Sequence, residues 1–195
     1  ASVISAISAR LGAFPLSATS RDAVLLVTLD PGAYTAMLSG VNNSSGVSLV
    51  EVYDATEGSL ATERKIVNIS IRARVGTGQD ILIAGLVISG TVPKRVLIRG
   101  IGPALGVFGV TGALADPELK IFQGSTVVAA NDNWSSDASA AMAAQSASSV
   151  GAFALNPASK DSGLVLSLAP GAYTVQISGV GATTGVALVE VYEVP

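Results

Sequence analysis

The chain carries one stretch of sequence twice. Residues 12–54 align without a gap with residues 151–193, at an offset of 139, and about half of the aligned positions are identical. A fixed long period is typical of an array of repeated modules. The 195 residues span about 1.4 periods. The sequence therefore predicts one whole module, together with a second module represented only by its last third.

Short runs rich in β-branched residues predict strands in both copies. In the first copy the runs are separated by Asp30-Pro31-Gly32 and by an Asn- and Ser-rich stretch, which are typical turn sequences. The sequence predicts that each copy ends in a three-stranded antiparallel meander. The predicted strands are residues 23–29, 33–40 and 46–53 in the first copy, and 163–168, 172–179 and 185–192 in the second.

The residues between the copies complete the predicted module. Five further strands are expected at residues 66–75, 81–89, 95–99, 119–123 and 126–130. A short Ala-rich helix is expected at residues 137–148, with Asp137 as its N-cap, and the first ten residues match this helix. These elements predict an all-β fold, an antiparallel β-sandwich of jelly-roll type with one short helix. The predicted domains are a partial module at 1–55 that repeats 140–194, a connector at 56–64 and a complete module at 65–195.

Composition excludes several classes of function. The chain has no His and no Cys, so Ser-His-Asp catalysis, His ligation of metals, disulfides and thiolate sites are ruled out. The net charge is −3 without a basic stripe, which argues against nucleic-acid binding. No apolar run approaches the length of a membrane helix. The glycine-rich residues 100–106 lack the Lys-Ser/Thr ending of a phosphate loop, and Pro103 removes a backbone donor, so a structural turn is expected there. These absences predict a protein that is not an enzyme and binds no obligatory cofactor.

Two candidate binding features remain. Calcium takes six to eight oxygen ligands, which Asn131, Asp132 and Asn133 could supply with Asp116 and Asp137. The alternative is a cluster of Asx turns, in which these side chains bond to their own backbone. Trp134 is the only tryptophan. It either stacks on a sugar or fills the end of the core.

Three motifs resemble a known type of domain. Residues 116–122 (DPELKIF), 131–134 (NDNW) and 168–174 (LAPGAYT) are similar to the bacterial pre-peptidase C-terminal type of β-sandwich. The wider sequence from residue 72 to residue 193 resembles a module repeated in very large secreted proteins of environmental bacteria. The resemblance implies an extracellular or cell-surface location. It also implies a non-catalytic module that acts by tethering, packing or polymerising.

The functional prediction rests on the first copy, which lacks the preceding strands of a complete module. It has an apolar face that must be covered, the predicted assembly face, which consists of Leu25, Val27, Leu38, Val50 and Val52. We therefore expect a structural protein, a subunit of a self-assembling filament or repeat array whose partners are copies of itself or adjacent repeats. The start at Ala1 instead of Met fits a removed signal peptide or a fragment of a longer array. The alternative is an accessory module of a secreted enzyme that binds glycan or calcium. An enzyme that uses carboxylates is a third and weaker alternative.

Overall fold

The computed structural model describes residues 2–57 and 65–195. The chain divides into two units, Ala1–Ile66 and Val67–Pro195, and each is described by itself. Most of the predicted connector at residues 56–64 lies outside the described residues. In the described part of the chain, neither α-helix combines the length and the apolar character that a membrane span requires.

The second unit is a sandwich of two four-stranded antiparallel sheets, which confirms the predicted fold class. Its strands lie close to their predicted positions. They are β1 (Asn68–Val75), β2 (Leu82–Ile88), β3 (Lys94–Ile101), β4 (Pro117–Gln123), β5 (Thr126–Asn131), β6 (Ser162–Leu168), β7 (Gly171–Gly179) and β8 (Gly185–Glu193). Sheet A has the order β1-β8-β3-β6 and sheet B the order β2-β7-β4-β5.

The core lies between the two sheets and follows from the alternation of side chains along each strand. In β7, for example, Tyr173, Val175 and Ile177 are buried, whereas the residues between them are only half-buried. Successive side chains of a strand point to opposite faces, so one face of each sheet supplies the core. Val175 and Ile177 pack there with Leu119 and Ile121 of β4 and with residues of sheet A.

A short helix, the second of the chain, covers the outer face of sheet A. This helix, α2, spans Ala140–Ser149, so it begins three residues after the predicted cap Asp137. Its buried residues Ala143 and Ala147 pack against Leu97 of β3 and Val165 of β6. Because alanine side chains are small, the helix backbone lies close to the sheet. Strand β3 is consequently buried on both faces.

The predicted three-stranded meander is wrong for the second copy. Strand β6 pairs with β3 at the edge of sheet A, β7 lies in sheet B between β2 and β4, and β8 lies in sheet A between β1 and β3. None of the three pairs with another of the three. The physical reason is that each connecting turn carries the chain across from one sheet to the other. Turn sequences locate the ends of strands, but they do not reveal which sheet a strand joins.

The first unit begins with helix α1 (Ser2–Leu11) and contains no strand among residues 12–57. The predicted meander at residues 23–53 is therefore not formed there either. A 3₁₀ turn at Val41–Asn43 is the regular element in this stretch. The result follows from the topology of the second unit. The equivalents of residues 23–53 pair only with strands β1–β4, and the first copy contains no equivalents of those strands.

Residues 2–55, called the N-terminal copy below, nevertheless repeat the local conformations of residues 141–194. Gly12 ends helix α1 with φ 76°, and Gly151 follows α2 with φ 73°. The 3₁₀ turn at Val41–Asn43 matches the one at Val180–Ala182. The Tyr34 hydroxyl donates to the carbonyl of Asp30 over 2.9 Å, as the Tyr173 hydroxyl does to that of Ala169 over 3.0 Å. Local sequence therefore sets the same turns in both copies, whether or not the strands are paired.

Candidate functional site

The predicted assembly face is exposed in the N-terminal copy, whereas its equivalents are buried in the sandwich. Leu25, Leu38 and Val50 are 81%, 56% and 52% exposed. Their equivalents Leu164, Ile177 and Val189 are 4%, 0% and 1% exposed and belong to the sandwich core. The other two residues of the face, Val27 and Val52, are also exposed, and their equivalents Leu166 and Val191 pack against the same core.

The cover over these core residues comes from strands β1–β5. We call residues 65–139, which contain β1–β5, the leading segment, and residues 140–194, which contain α2 and β6–β8, the trailing segment. Strand β6 bonds to β3, β7 bonds to β2 and β4, and β8 bonds to β1 and β3. Every ladder of the trailing segment is thus formed with the leading segment. The two segments interleave, and neither contains a complete sheet.

A buried ion pair also joins the two segments. Arg99 of β3 and Glu190 of β8 are 1% and 4% exposed and lie opposite each other in the ladder. The Arg99 Nε and Nη2 donate to Glu190 Oε2 over 2.8 and 2.5 Å, and Nη1 donates to the carbonyl of Phe153 over 2.6 Å. The guanidinium lies 4.4 Å from the centre of the Phe153 ring. The Tyr192 hydroxyl donates to the other oxygen of Glu190 over 2.8 Å.

The phenol next to this ion pair has a raised pKa. Burial, followed by the charge of Glu190 and the hydrogen bond to it, raises the pKa of Tyr192 to about 12. Sequence analysis did not predict this cluster. A signal was present, because both copies place a glutamate inside an otherwise apolar run, Val50-Glu51-Val52 and Val189-Glu190-Val191.

A second polar contact closes the glycine-rich loop at residues 100–106. Asp161 is fully buried, and its Oδ1 accepts from the backbone N–H of Gly102 over 2.8 Å and of Ala104 over 3.3 Å. A protein carboxylate therefore occupies the donors that a phosphate would need. This geometry fits the structural turn expected from the sequence. Asp161 belongs to the trailing segment, so this is another contact between the two segments.

Two of the five candidate calcium ligands are the neighbouring carboxylates Asp116 and Asp132. Asp116 accepts a hydrogen bond from Lys160, while its Oδ1 is buried and has no hydrogen-bond partner in the part of the chain that the structure describes. Asp132 lies beside it. Burial, followed by the charges of Asp116 and Glu118, raises the pKa of Asp132. The carboxyls thus repel each other, and an ammonium group already neutralises part of their charge.

Of the other three candidates, Asn131 and Asp137 use their side chains in hydrogen bonds within the protein, and Asn133 accepts through its backbone carbonyl. Asn131 Oδ1 accepts from the Gly163 N–H over 2.8 Å, and its Nδ2 donates to the carbonyl of Asn133 over 3.3 Å. Asp137 Oδ1 accepts from the Ser139 N–H and hydroxyl over 2.7 and 2.6 Å, and these bonds lower the pKa of Asp137. Among residues 2–57 and 65–195 no group of three or more His, Cys, Asp or Glu could hold a metal. The arrangement favours the Asx-turn interpretation, and a calcium site stays a prediction.

Trp134 lies in the interior and not on a sugar-binding surface. The side chain is 8% exposed, and its indole N–H donates to the carbonyl of Asn156 over 3.2 Å. Its backbone N–H donates to the carbonyl of Asp161 over 2.9 Å. The ring faces are therefore unavailable to a glycan in this conformation, which favours the interpretation of Trp134 as a core residue.

Comparison with known proteins gives one structural likeness. No family model and no curated protein matches the chain. Among solved structures, the chain is similar to the pre-peptidase C-terminal domain of a collagenase from Bacillus anthracis, the type of domain that the sequence motifs resemble. The sequence identity is 10% and the TM-score is 0.38, over 64% of this chain and 89% of that one. The assignment of a β-sandwich rests on the strand pairing described above.

Proposed function

We propose that the protein is a non-catalytic, extracellular structural element of a repeat array. In this proposal the N-terminal copy acts as the trailing segment of a further module. A leading segment from that module, in an adjacent repeat or in a neighbouring subunit, supplies the missing strands. Repetition of the contact joins modules in a row. Between separate chains it produces an open filament where a subunit presents a leading segment that residues 140–194 do not already occupy.

The observation that supports this proposal most strongly is the pairing of residues 140–194 with residues 65–139. The same chain contains a second, closely similar trailing segment whose apolar face is exposed. The leading segment of this chain, residues 65–139, is already paired with residues 140–194. This occupancy supports a further module as the source of the cover for the N-terminal copy.

Burial supplies a driving force of sufficient size. Covering one large aliphatic side chain is worth about 1.5–3 kcal/mol. Five such residues form the assembly face, and in the second copy their equivalents are buried or pack against the core. Loss of conformational freedom offsets part of the gain. Ladder hydrogen bonds add directionality, so the contact has a defined register as well as affinity.

The test uses a probe made of the leading segment alone. Residues 65–139 lack three of the eight strands of a sandwich, and we expect this leading fragment not to fold by itself. It is diluted from urea into the full chain, and the complex is measured by size exclusion with light scattering. We expect one fragment to bind per chain. Absence of a complex at micromolar concentration contradicts the proposal.

Two controls locate the contact. Residues 65–195 contain the unit Val67–Pro195 with its own core and lack the N-terminal copy, so they should not bind the fragment. The substitution Leu38→Asp in the full chain places a charge on the assembly face and should abolish binding. If either control binds the fragment as tightly as the full chain does, the contact lies elsewhere.

A calcium-binding accessory module is the second candidate function. One observation favours it, namely the buried Asp116 Oδ1 next to Asp132, for which the described residues provide no hydrogen-bond partner. Addition of millimolar calcium chloride to residues 65–195 should then raise the melting temperature, and Asp132→Asn should remove the increase. An unchanged melting temperature contradicts this candidate and leaves Lys160 as the partner of Asp116.

A further inference from the structure

The buried Arg99 is held by three residues of the trailing segment, and each makes a different contact. Glu190 accepts two hydrogen bonds, Phe153 provides a carbonyl and a ring face, and Tyr192 fixes the carboxylate from the other side. The Tyr192 ring centre lies 5.9 Å from the guanidinium. We call this set of three residues the arginine receptor. The arginine itself comes from the leading segment.

The N-terminal copy contains the same three residues at the equivalent positions, Phe14, Glu51 and Tyr53. All three are exposed. The Tyr53 hydroxyl already donates to Glu51 Oε1 over 3.1 Å, as Tyr192 does to Glu190. Within residues 2–57 and 65–195 no basic side chain forms an ion pair with Glu51.

We propose that Phe14, Glu51 and Tyr53 form an arginine receptor that selects the partner of the N-terminal copy. The ligand is an arginine that a further module presents at the position Arg99 has in β3. This inference rests on the proposed function, since docking of a leading segment is what would bury Glu51. It goes further by assigning the specificity of that contact to one charged pair.

Apolar contacts alone would give little selectivity, because any leading segment of suitable shape could cover the face. A buried charge is different, since a carboxylate taken out of water without a partner is strongly destabilising. A leading segment that lacks the arginine would leave Glu51 in that state. The receptor therefore rejects wrong partners as well as attracting the right one.

The contacts also distinguish arginine from lysine. In the sandwich, Nε and Nη2 bond to one carboxylate oxygen while Nη1 bonds to a carbonyl, and the planar group lies over the Phe153 ring. A guanidinium has donors in these diverging directions and a flat face for the ring. An ammonium group is a point charge and cannot make all of these contacts at once. We expect the same preference in the N-terminal copy.

The experiment measures binding of the leading fragment to the full chain by fluorescence titration of a dye-labelled fragment. Glu51→Gln in the full chain should weaken binding by about 30-fold or more, as removal of one partner of a buried charged pair does. Arg99→Lys and Arg99→Met in the fragment should weaken binding to the unaltered chain comparably. Asp30→Asn removes one negative charge from an exposed turn of the same copy, and should leave binding unchanged.

The decisive combination pairs the Arg99→Met fragment with the Glu51→Met chain. Replacing a buried ion pair by apolar residues is often neutral, so binding should return to within a few-fold of the original. The Glu51 substitutions leave the sandwich of residues 67–195 untouched, so loss of binding is not loss of its fold. If the Arg99→Met fragment and the Glu51→Met chain bind no better together than two independent losses predict, the proposal of an arginine receptor is wrong. If the unaltered pair does not bind at all, the proposed function fails first.

Discussion

Leu38 and Ile177 occupy equivalent positions in the two copies, and truncating each to alanine tests their different environments. Ile177 is fully buried between the sheets, whereas Leu38 is 56% exposed. Truncation of a buried aliphatic residue removes its transfer free energy and leaves a cavity, at a cost of about 2–5 kcal/mol. We expect that loss for Ile177→Ala. For Leu38→Ala we expect a change within about 0.5 kcal/mol, as for other exposed positions.

Urea unfolding of the full chain at low micromolar concentration measures both values. Far-UV circular dichroism follows the whole chain, and the fluorescence of Trp134 follows the sandwich. With a slope of about 1–3 kcal/mol/M, a loss of about 3 kcal/mol lowers the midpoint by about 1–3 M. The midpoint of Leu38→Ala should stay within error of the unaltered chain.

The same Leu38→Ala substitution should become costly once a partner covers residue 38. Its binding of the leading fragment should weaken by about 30-fold or more, which corresponds to about 2 kcal/mol at 1.4 kcal/mol per tenfold. Equal destabilisation by Leu38→Ala and Ile177→Ala in the chain alone would refute the reasoning, since the face would then be covered within the chain. A wild-type affinity for the fragment would refute it too.

Three further predictions concern the sandwich itself. Asp132→Asn should raise the melting temperature at pH 7 and Asp137→Asn should lower it, because the fold raises the pKa of the first carboxyl and lowers that of the second. Both differences should shrink at acid pH where the carboxyls are protonated, and equal signs for the two variants at pH 7 would be inconsistent with this account. Tyr192 should ionise near pH 12, seen as a phenolate absorbance that is missing in Tyr192→Phe. Because the pKa of Tyr192 is raised in the folded state, the free energy of unfolding should fall between pH 10 and pH 12. Ionisation of Tyr192 near pH 10 in the folded protein would contradict the burial of this phenol. Trp134 should emit at short wavelength, resist quenching by iodide and not respond to added oligosaccharides, whereas a glycan-dependent shift would favour the sugar-stacking interpretation.

The sequence predicted the positions of strands, turns and helices well, because turn residues and β-branched runs determine conformation over only a few residues. All eight strands of the second unit lie near their expected positions, and the Ala-rich helix is present. The matching helix expected at the start of the chain is present as α1. The N-terminal copy makes the point most clearly, since its turns match those of the trailing segment although residues 23–53 form no strand.

The sequence did not predict the features that depend on residues far apart in the chain, namely the sheet that each strand joins and the pairing of buried charges. The Pro-Gly turn before β7 is compatible with a hairpin, but the strands on either side of it join different sheets. Arg99 is an unremarkable charge in the sequence, and only the register of β3 with β8 places it opposite Glu190. The calcium site stays a prediction, but the structure gives two of its candidate ligands other partners. Asn131 and Asp137 are used to tie neighbouring backbone, which sequence spacing alone does not reveal.

Backbone hydrogen exchange in residues 23–53 tests the central claim most directly. In the full chain alone these amides have no ladder partners, and we expect fast exchange. Addition of the leading fragment should protect three blocks, residues 23–29, 33–40 and 46–53, with the turns between them remaining unprotected. Exchange that stays fast with the fragment bound would contradict the claim that the N-terminal copy completes a sandwich. Protection of the same blocks in the dilute chain alone would contradict the claim that the strands come from a further module.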